Sequence, residues 1–186
     1  VNLLGMFRGV NHGGWDPNEK NFHLYTIIIG AQTLHATGYA MGVQRDGSVG
    51  TGDDDRDTAV IAYFGDGATS QGDVSEALVF AGVNNSPVVF FCQNNQWAIS
   101  EPNEKQTRAP LWHRARGFGF PGIRVDGNDV LAVYAVTKAA AKVGGKQVCD
   151  AEITLRVMPF PNPDFQVGMR DTAKRIGFPM ERLTLV

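Results

Sequence analysis

Two apolar runs, residues 58–64 and 87–92, each lead directly into a polar segment rich in glycine or asparagine. Runs of this length, with Val, Ile, Tyr and Phe and little polar alternation, read as strands buried on both faces. Between them residues 73–83 carry a helical pattern, so the unit reads as strand, helix, strand and predicts a parallel pair. The series continues with a shorter strand at 122–125, then a helix capped by Asp129 and running to about residue 143. A last strand falls at 153–157. The expected fold class is therefore α/β, a mostly parallel sheet with helices on both faces. In such a sheet ligands bind beyond the carboxyl ends of the strands.

The flanking sequence is less regular. Residues 1–25 are rich in Gly, Asn and His, with a turn at Gly13-Gly14-Trp15-Asp16-Pro17. Tyr25-Thr26-Ile27-Ile28-Ile29 reads as a buried strand or an extended turn, ended by Gly30. A helix follows over 31–44, where Ala36, Gly38, Ala40 and Gly42 form a thin face suited to close helix approach. Each glycine costs helix stability about 1 kcal/mol against Ala, so tight packing is the reason expected for them. Asp53-Asp54-Asp55, in an acidic loop, reads as solvated surface. Residues 158–186, with Pro159, Pro161, Pro163 and Pro179, are irregular. The chain divides into a domain over 1–157 and an unassigned tail over 158–186. It starts at Val1 without methionine and reads as a fragment, or as part of something longer.

Composition excludes several classes. Of 186 residues, 43% are hydrophobic and 19% charged, the profile of a folded chain. A formal charge of −2 offers no basic face for nucleic acid. No apolar run is long enough to span a bilayer, and no signal peptide is visible, so no membrane is expected. Cys92 and Cys149 lie far apart, without metal-ligand spacing, which places the chain in a reducing, cytoplasmic setting.

The chemistry concentrates at the two strand ends. The first reads Gly65-Asp66-Gly67-Ala68-Thr69-Ser70-Gln71-Gly72, the second Gln93-Asn94-Asn95-Gln96-Trp97. Glycines around a carboxylate let the backbone turn sharply and approach a ligand closely. The spacing is wrong for a dinucleotide fingerprint or a P-loop, which makes a nicotinamide-dependent oxidoreductase a poor reading. An aspartate in place of a bare phosphate cradle fits if a divalent cation lies between carboxylate and phosphate. Asn95 and a nearby carbonyl add neutral oxygens, and an all-oxygen shell of that kind suits Mg²⁺. A tight strand-to-helix turn is the lesser reading of Gly65-Asp66-Gly67 alone, and a plain turn the commoner reading of Asn94-Asn95 alone; the pair is far more specific than either.

Gly-Asp-Gly followed after 26 residues (68–93) by Asn-Asn resembles the signature of thiamine-diphosphate enzymes. The words at 63–68, 90–100 and 124–130 are similar to the alpha subunit of the decarboxylating component of 2-oxo acid dehydrogenase complexes. The branched-chain type, of bacterial flavour, is the nearest, over residues 6–143. The resemblance implies a thiamine-diphosphate-binding fold, with Mg²⁺ held by Asp66, Asn95 and the carbonyl of Trp97. It implies cofactor contacts from Gly67 and Ala68 beside the diphosphate and from Ile27 and Ile29 along the rings. Gln93 stands where relatives often carry arginine, so a phosphate contact there is uncharged. Gln32 matches a residue near a structural potassium site, but Ala31 replaces a threonine ligand and potassium is not expected.

The implied activity is oxidative decarboxylation of a branched-chain 2-oxo acid, with the acyl group passed to a lipoyl group on an acyltransferase core. The activating carboxylate is expected on a beta subunit, in an α2β2 heterotetramer. No catalytic residue is assigned on this chain. Pyruvate and acetoin dehydrogenase alpha subunits share the same cofactor words. Relatives also carry an upstream Tyr-Arg pair, and an active-site histidine in a loop after the position of Arg156. Residues 157–164 contain no histidine, so a catalytically incomplete fragment or scaffold subunit is a further reading. His12, His23, His35 and His113 show no metal-ligand spacing.

Overall fold

A computed structural model describes residues 16–23, 26–142 and 150–154, together with Leu4, Arg8 and Gly9. The elements in chain order begin with a short helix α1 (Pro17–Lys20), a longer helix α2 (Ala31–Arg45) and strand β1 (Val60–Gly65). A 3₁₀ helix (Asp66–Ser70), α3 (Gly72–Asn84) and β2 (Val88–Asn94) follow. Next come a small hairpin, β3 (Trp97–Ala98) and β4 (Glu101–Pro102), and two short helices, α4 (Asn103–Gln106) and α5 (Leu111–Gly117). The described series closes with β5 (Gly122–Asp126), α6 (Val130–Lys142) and β6 (Asp150–Thr154).

The main sheet has the order β1-β2-β6-β5 and every pairing in it is parallel. Register is tight where it matters, with Val60 opposite Val88 and Gly65 opposite Gln93. On one face, Ala62, Phe64, Val88, Phe90 and Cys92 meet Val74, Ala77, Leu78 and Ala81 of α3 and Leu111 and Ala115 of α5. Those α3 positions recur at the three- and four-residue steps of an amphipathic stripe. On the other face Val89, Phe91 and Val125 meet Val133, Val136 and Ala140 of α6. Asp129 starts that helix by accepting the N–H groups of Leu131 and Ala132, both at 3.0 Å. A cap of this kind stabilises a helix by about 1 kcal/mol. The parallel α/β class, with helices on both faces, is thus observed.

Several expectations need correction. The first strand runs over Val60–Gly65 rather than 58–64, and it is not buried on both faces. Ile61 and Tyr63 are exposed, because β1 is an edge strand of the described sheet and α6 packs over β2, β5 and β6. The last strand lies at Asp150–Thr154, three residues earlier than read, in register with Phe90–Asn94 and with Gly122–Asp126. Gly38 and Gly42 do not serve tight packing within the chain, since a Cβ added at either meets nothing within 4 Å. The buried face of α2 is Thr33, Thr37 and Ala40. Residues 26–30 form bends and a turn, with Ile27, Ile28 and Ile29 exposed, so a buried strand there is excluded. The hairpin and the helices α4 and α5 fill the stretch between β2 and β5. His12, Cys149, Arg156 and the tail 158–186 lie outside the described residues.

Candidate functional site

Because β1 and β2 are adjacent, parallel and end in register, the Gly65-Asp66-Gly67 and Asn94-Asn95 words sit side by side at the carboxyl edge of the sheet. Asp66 opens the 3₁₀ helix and is 2% exposed, although it is a carboxylate at a loop position. Ala68, next to it, is equally buried. The turn is held from within by Thr69, whose hydroxyl donates to the Asp66 carbonyl at 2.7 Å. It is held from behind by Arg114 of α5, whose Nη1 donates to the Thr69 carbonyl at 3.1 Å.

Gly67 explains why the motif needs a second glycine. A Cβ there would lie 2.7 Å from the Ala98 Cβ and 3.3 Å from its Cα, so the β3 strand rests directly on the turn. Asn94, buried, accepts the Gln96 N–H at 2.8 Å, and Asn95 accepts the Trp97 N–H at 2.9 Å. These two short turns aim the chain from β2 back across Gly67. The hairpin is anchored further by the Asn103 N–H to the Gln96 carbonyl, 2.9 Å, and by Ser70 Oγ with Gln106 Oε1, 3.2 Å. At its tip Ile99 has φ of 55° and is 97% exposed. A β-branched residue in the left-handed region is strained by about 1–3 kcal/mol, a cost proteins keep mostly at functional positions.

Ile27 and Ile29 come in from another element. Gly30, with φ of 92°, turns the chain into α2, and a Cβ there would lie 3.0 Å from Val74 Cγ2 and 3.2 Å from Gln71 Cγ. The segment therefore meets the start of α3, next to the 3₁₀ turn, while Ile27 remains 96% exposed. Gln32 adds a tie by donating from its side-chain amide to the Tyr63 carbonyl at 2.9 Å. Gly30, Gln71 and Arg114 were not singled out by sequence reasoning. Gly30 had a signal, a glycine between a β-branched run and a helix start, whereas Arg114 had none.

The arrangement fits a cation shared with a phosphate. Among the described residues no group of three His, Cys, Asp or Glu side chains could hold a metal. A cation here would instead take one buried carboxylate, Asp66, with the neutral oxygens of Asn95 and the Trp97 carbonyl. Phosphate oxygens and water would complete that shell, the environment Mg²⁺ favours. Asn95 Oδ1 accepts one N–H and keeps a second lone pair for a ligand. Gln93, exposed opposite Gly65, is a neutral side chain at the same edge.

In fold the chain is similar to thiamine-diphosphate enzymes of known structure. A Mycobacterium smegmatis structure assigned to that class matches with a TM-score of 0.52 and 25% identity, over 69% of this chain and 22% of that one. Transketolase from Leishmania mexicana matches with a TM-score of 0.57 and 21% identity, over 69% of this chain and 20% of that one. Within this class the chain belongs to the dehydrogenase E1 component family, whose model matches residues 5–149. It is 48% identical over 162 residues to the Mycobacterium tuberculosis 3-methyl-2-oxobutanoate dehydrogenase subunit alpha, covering 85% of this chain and 42% of that protein. It is 42% identical over 134 residues to the Staphylococcus aureus pyruvate dehydrogenase E1 component subunit alpha, covering 72% of this chain and 34% of that protein. The chain thus spans less than half the length of these relatives.

Proposed function

We propose that the protein is the alpha subunit of a branched-chain 2-oxo acid dehydrogenase and that this chain anchors the Mg²⁺-diphosphate end of thiamine diphosphate. The observation that supports the reading is the in-register pairing of β1 and β2, which brings the Gly65-Asp66-Gly67 and Asn94-Asn95 words to adjacent strand ends in a member of the E1 component family. The branched-chain assignment rests on the likeness to the 3-methyl-2-oxobutanoate dehydrogenase subunit.

When bound, the cofactor supplies the electron sink for loss of carbon dioxide from the 2-oxo acid. The residues of this chain position it. Asp66, Asn95 and the Trp97 carbonyl hold Mg²⁺, Gly67 and Ala68 lie beside the diphosphate, and Gln93 offers an uncharged contact. Ile27 and Ile29 form an apolar wall that keeps water from the rings. The activating carboxylate comes from a beta subunit in an α2β2 assembly, and a lipoyl acyltransferase core accepts the acyl group. Among the described residues no helix is long and apolar enough to cross a membrane; a cytoplasmic setting is part of the proposal.

Two measurements test it. Mg²⁺-dependent cofactor binding by the full-length protein with its partner subunit should be lost in Asp66→Ala, and unchanged affinity would sink the anchor. Decarboxylation of 3-methyl-2-oxobutanoate, followed with an artificial electron acceptor, should exceed that of pyruvate. The reverse preference would favour a pyruvate dehydrogenase subunit, a reading supported by the Staphylococcus aureus likeness.

A further inference from the structure

We propose that Arg114 is a positioning residue for the cation and diphosphate anchor, acting through Thr69 on the turn that carries Asp66. The inference rests on the anchor reading and adds to it a residue 48 positions away in sequence.

A 3₁₀ helix of five residues is weak by itself, because its hydrogen-bond geometry is poor. This one carries a buried carboxylate that must keep one aim. Two links fasten it from the inside: the Arg114 guanidinium to the Thr69 carbonyl, and the Thr69 hydroxyl to the Asp66 carbonyl. The hydrogen bond that the Ser70 hydroxyl donates to Gln106 Oε1 is exposed, and water competes with it.

The surroundings of Arg114 argue against a packing role. Its half-buried side chain borders a mostly apolar cavity lined by Phe64, Val74, Leu78, Cys92 and Leu111, with Thr69 itself at the wall. Among the described residues no carboxylate pairs with it. A guanidinium taken partly out of water without an acid is unfavourable for folding, and an unbranched apolar side chain would fill the same space. What arginine adds is a charge-assisted donor at the end of a long stem, aimed at one carbonyl of the turn. A positive group behind the turn also suits a site that gathers a carboxylate and a diphosphate.

The test compares wild type, Arg114→Met and Arg114→Lys in the full-length protein in its native assembly. Thiamine diphosphate binding is read by calorimetry across a Mg²⁺ titration, and amide exchange over residues 66–71 is read without cofactor. Arg114→Met should keep or raise the melting temperature, speed exchange across 66–71 and weaken cofactor binding at least tenfold. Arg114→Lys should recover most of the affinity, since an ammonium can still donate to the Thr69 carbonyl. Wild-type affinity in Arg114→Met overturns the proposal, and so does a loss that Arg114→Lys fails to reverse. Absence of Mg²⁺-dependent binding in wild type would bring down the anchor reading and this inference with it. Wild-type binding with an unaffected Arg114→Met sinks this inference alone.

Discussion

The turn after β1 is finished: Asp66 and Ala68 are buried, and Thr69 and Arg114 brace the backbone from within. By contrast Ile27, Ile28 and Ile29 stand in the open, Trp97 is more than a third exposed, and Ile99 projects from a strained hairpin tip. Among the described residues the first region is held by its own contacts, whereas the apolar groups of the second are left largely exposed. Folding alone thus organises the end of the site suited to charge. Under the proposed function the cofactor rings and a second subunit would cover the apolar groups. An array of exposed isoleucines is costly to leave in water.

The largest effect that would sharpen this contrast is at Asp66. Asp66→Asn should weaken Mg²⁺-dependent cofactor binding about a hundredfold, or about 2.7 kcal/mol, without lowering the stability of the cofactor-free protein. Calorimetry and a denaturant curve read the two quantities separately. A stability loss matching the binding loss would mean that the finished side is merely structural.

Next is a pair of glycines. Gly67→Ala drives a Cβ into Ala98, and Gly82→Ala drives one to 2.5 Å from the Phe118 carbonyl oxygen. Overpacking of this sort costs about 1–3 kcal/mol. Both variants should melt earlier, but only Gly67→Ala should also lose cofactor affinity, by about tenfold. Equal affinity in both would separate the hairpin from the site. On the open side Ile27→Ser should change the stability of the isolated chain by less than about 0.5 kcal/mol, measured by chemical denaturation. A larger loss would show that the segment is packed after all and break the comparison.

The smallest effect lies in the acidic loop. The Thr51 N–H, 2.8 Å from Asp57 Oδ1, is the main cause holding that carboxyl below the ordinary aspartate value of 3.8. A depressed folded value makes its contribution complete above the unfolded value and lost as pH falls through the folded one, below 3.8. An NMR titration should place the Asp57 midpoint beneath 3.8, and Asp57→Asn should leave cofactor affinity at neutral pH untouched. A midpoint at or above that value would remove the argument.

The elements that were legible in the sequence are those with local causes. The apolar run ending at Gly65, the α3 stripe and the Asp129 cap each follow from residues a few positions apart. The meeting of the two strand-end words at one sheet edge was legible too, because two strands joined by one helical crossover admit few arrangements. What failed depended on distant neighbours. Ile61 and Tyr63 carry strand-forming side chains much as Val89 and Phe91 do, but β1 lies at the edge of the described sheet and they are exposed. The β6 slot between β2 and β5 fixed its own frame, over the polar residues Asp150 and Glu152 that sequence reasoning passed over. The short helix α5 follows Pro110 without a side-chain cap, and the bond from Arg114 to Thr69 spans 45 positions with no periodic trace.

The alignment of Gly65 with Gln93 has a consequence for tolerance to change. The 26-residue spacing is the length of a detour, not a ruler laid between ligands. Extra residues at the left-handed Asn85, where α3 ends in an exposed turn, would lengthen the detour and leave both strand tips in place. One residue inserted within Val60–Gly65 would instead send Phe64 and its neighbours to the opposite face and carry Asp66 out of line. Variation in this chain's relatives, natural or engineered, should therefore accumulate in the detour and stop abruptly at the strands.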